Sequence, residues 1–464
     1  MPMRSSRPMC AVAALGIAAS AGLAAPCPAD HDGSGWGDVN DLLGFLGDFR
    51  AGSLAADYID DGAIDVSDLL EYLRLFRIGC ADDTDTDGDG LRDIVETGTG
   101  VYRGRGDTGT DPFVADTDGD GLPDGEEVLP TADGLNLRAF GVSPLRRDIL
   151  VEIDWFGNQN GHQPSLQPLP QTIMMIEQVF AAAPLTNPDG STGISIRIDY
   201  GQGGAFTGGN QLPGAPDYIT FPAQFQTFKA DHFDPRRYGR FHYCIFAMKY
   251  NAPDNGSSGI AELSGDDFMV TLGNVVGFTP YPTAATFVHE LGHNLGLRHG
   301  GFENLNNKPN YNSVMNYRHQ FNGIDVNLDG RGDGVIDYSI GALPPLDESS
   351  LIEAHGIGGP GSPAIDWNGN GVIDPAPYSR NLNCTPGGSA PCGVSVSSCT
   401  DSACTVLHDQ NDWASINWNR LPTPGRFRLP EPPAEIEVCP DVPRNLRDIA
   451  AAVEAPHPPL RNRR

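Results

Sequence analysis

The stretch His289-Glu-Leu-Gly-His-Asn-Leu-Gly-Leu-Arg-His299 decides how the rest of the chain is read. Positions four apart on a helix lie one above the other, so His289 and His293 present two imidazoles to one metal ion from the same face. Glu290 then stands beside the metal and not on it. Zinc lowers the pKa of its bound water towards about 7, and a neighbouring carboxylate that accepts the proton completes a nucleophile able to attack a peptide carbonyl. The spacing gives that role to Glu290. Gly296 falls where the helix must stop, because glycine alone enters left-handed backbone without steric cost, and the turn brings His299 back as a third ligand. The fourth position stays open, as a catalytic zinc site requires. A lone histidine on an amphipathic helix is ordinarily a packing residue. Here 11 histidines serve 464 residues, and three of them fall at these spacings with the glutamate and glycine in place, which is a metal signature.

Downstream lies Ser313-Val-Met315-Asn-Tyr317. The pattern H-E-x-x-H-x-x-G-x-x-H followed by such a methionine turn resembles the metzincin zinc peptidases, over about Tyr281 to Tyr317. The resemblance implies a zinc-dependent endopeptidase acting on a protein or peptide substrate. It also implies that Met315 forms an apolar floor under the zinc ligands and that Tyr317 binds the metal or steadies the tetrahedral intermediate. Without it, Met315 reads as core packing and Tyr317 as a surface aromatic. The expected catalytic domain, 131–425, is α/β (α+β), with a mixed five-stranded-type sheet and an active-site helix.

Local patterns agree with that class. Ile149-Leu-Val-Glu-Ile153 is an extended apolar run, Thr172 to Ala183 reads as a helix, and Gly193-Ile-Ser-Ile-Arg-Ile-Asp199 alternates as a strand. Strand, helix, strand implies a right-handed crossover and a partly parallel sheet. Further strands are expected over Phe241 to Tyr250 and Asp267 to Leu272, the latter directly before an active-site helix from Thr283 to Leu297. In metzincins an edge strand lines the cleft and pairs with an extended substrate backbone. The pattern leaves open which strand is that edge.

Arg4 and Arg7 precede an apolar, Ala-rich run from Met9 to Ala25, which reads as a secretory signal peptide over 1–25 and places the protein outside the cell or at its surface. No later stretch is long and apolar enough to span a bilayer. Of nine cysteines, eight remain once Cys10 leaves with the signal, an even number that suggests up to four disulfides. Cys27 with Cys80 is the best pair, and Cys384, Cys392, Cys399 and Cys404 make two local ones. The balance of 30 basic against 60 acidic residues gives a formal charge of -30, which argues against nucleic acid and anionic membrane as partners. The acid is concentrated in short Asp, Asn and Gly loops, so the implied partner is calcium.

Residues 26–80 repeat with a period of 27 residues. Asp30, Asp32, Ser34, Asp38 and Asp41, with Gly35 at position 6, form one twelve-residue calcium loop; Asp57, Asp61, Asp65 and Asp68, with Gly62, form the other. Each feeds an amphipathic helix. The pair resembles a dockerin, an EF-hand-like module, and so implies a cohesin-like docking partner. Two departures matter: Ile59 replaces the second loop's ligand at position 3, and Val39-Asn40 and Val66-Ser67 stand where dockerins carry a hydroxyl pair for cohesin, which speaks against that partner. The alternative is a solvated acidic helical hairpin held by a disulfide. The connector, 81–130, holds Asp85, Asp87, Asp89, Asp93 and Glu96, then Asp116, Asp118, Asp120, Asp124 and Glu127, both at full D-x-D-x-D-G-x-x-D-x-x-E spacing. These look like thrombospondin type 3 repeats, which wrap around calcium; the alternative is a disordered acidic linker. Asp366, Asn368, Asn370 and Asp374 reproduce the first nine positions of such a loop without the last carboxylate, and are either a calcium loop or turn chemistry. The tail, 426–464, is rich in proline and is expected to pack little. A rival for the whole chain is a calcium-stabilised extracellular adhesion or matrix protein with a silent or structural zinc site. The intact motif speaks against it.

Overall fold

The computed structural model describes residues 27–34, 37–80, 84–157, 165–214, 216–272, 278–385, 388–418 and 436–438. The expected signal peptide, Gly35 of the first calcium loop and all of the tail but 436–438 lie outside the described residues.

The N-terminal module is two helices on a small aromatic core. Helices α1 (Val39–Ala51) and α2 (Val66–Ile78) each open on a capping box, Asp38 with Asp41 and Asp65 with Asp68, so the last acid of each loop also satisfies a backbone N–H at the helix start. Phe45, Ala56, Tyr58, Tyr72 and Leu75 are buried between them, with the Phe45 and Tyr72 rings stacked at 4.0 Å. The disulfide Cys27–Cys80 ties the two ends. A short helix α3 (Asp124–Val128) follows within the second connector loop.

From Asp148 onward the chain builds an α/β layer structure with a mostly parallel sheet, the class expected. Strand β1 (Asp148–Phe156) is buried at every residue, which its near-continuous apolar run fits for a central strand covered on both faces. It is followed by α4 (Pro170–Ala181), β2 (Ser195–Asp199), β3 (Gln211–Leu212), α5 (Ala223–His232), β4 (His242–Phe246), β5 (Gly259–Glu262), β6 (Asp267–Val270) and α6 (Pro280–Asn294). Strands β7 (Leu346–Asp347) and β8 (Val406–Leu407) form a small separate pair, and β9 (Ile436–Val438) returns to the main sheet. The order is β2-β1-β4-β6-β5-β9, with β3 also on β1. β1 runs parallel to β2, β3 and β4, and β4 to β6; β5 is antiparallel to β6, and β9 to β5. Among the described residues the sheet therefore has seven strands, where a five-stranded type was expected.

Three expectations need correction. The active-site helix starts earlier, at Pro280, and ends at Asn294 rather than Leu297, because Gly296 with φ 92 has already left helical backbone. Helix α5 was not anticipated: its Lys229 is buried, 2.7 Å from Asp266 and 2.5 Å from Asp267, and a cation on the inner face hides the amphipathic pattern. The expected fourth disulfide does not form at Cys244, and Cys439 lies outside the described residues. Cys27–Cys80, Cys384–Cys399 and Cys392–Cys404 form, whereas Cys244 is a free thiol buried in β4.

Candidate metal centre

Helix α6 is buried along its whole length from Tyr281 to Asn294, against β5, β6 and α4. Asn294 fixes its end: the side-chain amide donates to the carbonyls of Glu262 and Asp267, each at 3.0 Å, while Ser264 N–H donates to His293 O at 2.8 Å. These bonds place the last helical turn on the β5–β6 hairpin.

His289, His293 and His299 converge. His293 Nε2 lies 3.2 Å from His289 Nε2 and 3.1 Å from His299 Nε2. In the first two residues Nδ1 faces a backbone carbonyl, Val314 O and Leu297 O, each at 2.8 Å. A carbonyl only accepts, so both Nδ1 atoms carry the proton, and the neutral rings then have bare Nε2 lone pairs. Two acceptors facing each other at 3.2 Å repel unless a cation lies between them. Ligands about 2.0–2.1 Å from a tetrahedral zinc are roughly 3.3 Å apart, close to what these nitrogens show. Burial reinforces this by disfavouring the protonated form, holding the His289 imidazole down to about 4 and those of His293 and His299 well below their usual value. The donor set fits a zinc ion.

Around the histidines, two glycines make room. A Cβ at Gly259 would sit 2.2 Å from Glu290 Oε1, so the β5 backbone lies directly against that carboxylate. A Cβ at Gly292 would sit 2.3 Å from Met315 Sδ, so the methionine packs directly onto the helix at Gly292. Met315 is fully buried, and its turn is held by Val314 N–H donating to Asp337 O at 2.8 Å and by the Asn316 amide donating to Lys308 O and Tyr311 O. The Tyr317 ring stands 4.2 Å from the His299 ring and 5.7 Å from that of His289. The structure thus brings His289, His293, His299 and Tyr317 together, with Met315 against the helix at Gly292 and Glu290 on the same helix against β5. The sequence pattern missed Gly259, Asn294 and the fully buried Lys308, whose ammonium donates to Gly300 O and His408 O. Only Asn294 left a signal, a polar residue on an otherwise apolar helix face.

The acidic loops fold as Asp- and Asn-rich turns. In the first, Asp30, Asp32 and Asp41 offer oxygens within 4.8 Å of one another, and Asp41 is fully buried. In the second, Asp57 accepts from Asp61 N–H and Gly62 N–H, Asp68 from Tyr58 N–H and Asp65 N–H, and Asp65 caps α2. In the connector the two loops interlock, which sequence reading did not foresee. Asp89 Oδ2 accepts from Gly125 N–H at 2.8 Å, and Asp89, Glu96 and Asp124 form one shared oxygen cluster beside those of Asp85, Asp87 and Asp89 and of Asp116, Asp118 and Asp120. Asp93 and Asp124 each take the N–H and hydroxyl of a preceding threonine. Glu127 is fully buried with neither carboxylate oxygen hydrogen-bonded, and Asp118 Oδ2 is likewise orphaned, a donor set that fits a hard divalent cation. Burial pushes Asp89 up to about 6, Asp124 to about 7, and Glu96 and Asp118 to about 8. The loop of Asp366, Asn368, Asn370 and Asp374 is different: both asparagine amides donate to Asp374, closing the turn on itself. On the N-terminal module, Val39, Leu43 and Leu46 and their repeat mates Val66, Leu70 and Leu73 are all exposed, a doubled apolar face that the period of 27 residues already spelled.

Residues 85–97 and 116–129 match the bacterial TSP3 repeat. No curated protein matches the chain. Among solved structures, archaemetzincin from Methanopyrus kandleri is similar at 14% identity and a TM-score of 0.22, over 37% of this chain and 81% of that one. Among the described residues no helix is long and apolar enough to cross a membrane.

Proposed function

We propose that the chain is a secreted zinc endopeptidase whose acidic loops bind calcium. One observation carries this reading: bare imidazole nitrogens of His289 and His293, with His299 Nε2 beside them, crowd to 3.1–3.2 Å in a buried site at the end of the helix that also carries the buried Glu290. Zinc held by the three histidines supplies Lewis acidity that acidifies water and polarises a carbonyl. Glu290 takes the proton from the attacking water and passes it to the departing amine. Tyr317, its ring 4.2 Å from that of His299, steadies the oxyanion through its phenol. Met315 holds the histidine rings from below, and the backbone acceptors Val314 O and Leu297 O fix their tautomers. Calcium is the cation that the matched repeats and their orphaned carboxylates call for, and three disulfides accord with an oxidising compartment.

The test is elemental analysis with casein zymography on the full secreted chain. One zinc per chain, with clearing lost on chelation and restored by zinc, is the expected result. Zinc present with no cleavage of any protein or peptide library would favour the adhesion reading; no zinc at all would remove both.

A further inference from the structure

The main sheet is parallel up to β6 and then reverses at β5, and it is β5 that lies against the catalytic carboxylate: Gly259, its first residue, leaves no room for a Cβ beside Glu290. A strand next to an active-site carboxylate, with N–H and C=O groups turned outward, is a template for another extended backbone. In this chain that edge is taken. Ile436 pairs with Glu262, Glu437 with Ala261 and Val438 with Ile260, so β9 runs antiparallel along β5 and heads towards the Gly259 end, where Glu290 stands. The segment comes from a part of the sequence rich in proline, with Pro430, Pro432 and Pro433 just before it, and so poorly suited to continue a core sheet.

On the peptidase reading the β5 edge beside Glu290 is where an extended substrate pairs; we propose that residues 436–438 occupy that edge in the resting chain and that a substrate must displace them. The inference rests on the peptidase reading for the word substrate, but the edge itself is argued from the pairing.

The experiment uses the full zinc-loaded chain with Glu437→Pro, and separately with Ile436→Pro and Val438→Pro together. Alternate residues of an antiparallel strand face the ladder, so one of the two variants removes N–H donors that point at β5. In variants whose circular dichroism matches the parent, amide exchange at residues 260–262 should accelerate. A fluorescein-labelled peptide of residues 432–438 should bind the proline variant carrying Glu290→Gln and not the Glu290→Gln parent. With a quenched peptide substrate, KM should fall by about tenfold, as expected when an intramolecular competitor at an effective concentration of order mM is lost. Unchanged exchange at 260–262 together with equal probe binding by parent and variants would overturn the proposal. Exchange and probe binding that change as expected, in a chain that cleaves nothing, would instead overturn the peptidase reading and leave the binding edge standing.

Discussion

At the scale of single residues the site turns on what is absent as much as on what is present. Replacing Glu290 by Gln keeps the shape and removes the base, so zinc content should stay at one per chain while kcat/KM falls by about 10²–10⁴-fold. Gly259→Ala tests the same carboxylate from the other side: its Cβ would meet Glu290 Oε1 at 2.2 Å and Met269 O at 2.6 Å, so the carboxylate and the β5 backbone must shift relative to each other. Displacement of about 1 Å costs on the order of 10²-fold in rate, and zinc, held by three untouched histidines, should remain. Peptide kinetics and metal analysis on the same preparation check both; a Gly259→Ala enzyme at the parental rate would mean that Glu290 is not confined by β5. The two residues also mark what a sequence discloses. Glu290 is legible because its role is fixed by spacing along one helix. Gly259 is not, since its meaning comes from a strand 31 positions away that only the fold brings against the helix.

Elements show the same division. Helix α6, β1 and β2 were legible because periodicity records which face is buried, and Gly296 marked the helix end through the chemistry of its own backbone. Helix α5 and strands β3, β5 and β9 were not, because a buried Lys229 pair and segments of two to four residues carry too little pattern. What joins the legible helix to the illegible hairpin is Asn294. Its two donated bonds satisfy buried carbonyls of Glu262 and Asp267, and Asn294→Ala leaves both without that donor. Each such loss costs about 1–3 kcal/mol. For a unit of this size a kcal/mol is about 2–4 °C, so the zinc-loaded chain should melt roughly 5 °C lower or more. Differential scanning calorimetry decides it, and an unchanged melting temperature would show that water replaces the amide. The motif therefore continues one residue past its second histidine, into a position whose work is architectural.

For the whole molecule, the second connector loop packs into the wall of the unit that carries the three histidines. Asp120 Oδ2 accepts from Asp148 N–H, the first residue of β1, at 2.6 Å. Leu122 belongs to the same apolar core as Leu150, Leu291 and Leu295, and Gly121 passes so close to Trp418 O that a Cβ would lie 2.7 Å from it. Asn417 N–H in turn donates to Leu295 O, two residues beyond the second zinc histidine. On the proposed reading, calcium at Asp116, Asp118, Asp120 and Glu127 would neutralise carboxylates built into the wall that backs helix α6. Without a cation, burial raises the carboxyl groups of Glu96 and Asp118 to about 8 and that of Asp124 to about 7, while Asp120 and Glu127 rise well above their usual range. An acid whose folded pKa exceeds its unfolded value stabilises the fold below the unfolded pKa and loses that contribution as pH rises through the folded one. The chelated chain should therefore grow more stable as pH falls from about 8.5 to 7, a window above the range in which histidines begin to protonate and oppose the trend. Calcium should raise stability most at the alkaline end, where the carboxylates are ionised and repel one another, and should flatten the slope. Thermal unfolding at both pH values, chelated and with calcium in excess, gives the four numbers required. A chelated chain that weakens as pH falls through that window, or a calcium increment no larger at pH 8.5 than at 7, would mean that the loop carboxylates do not carry the metal-linked stability of that wall.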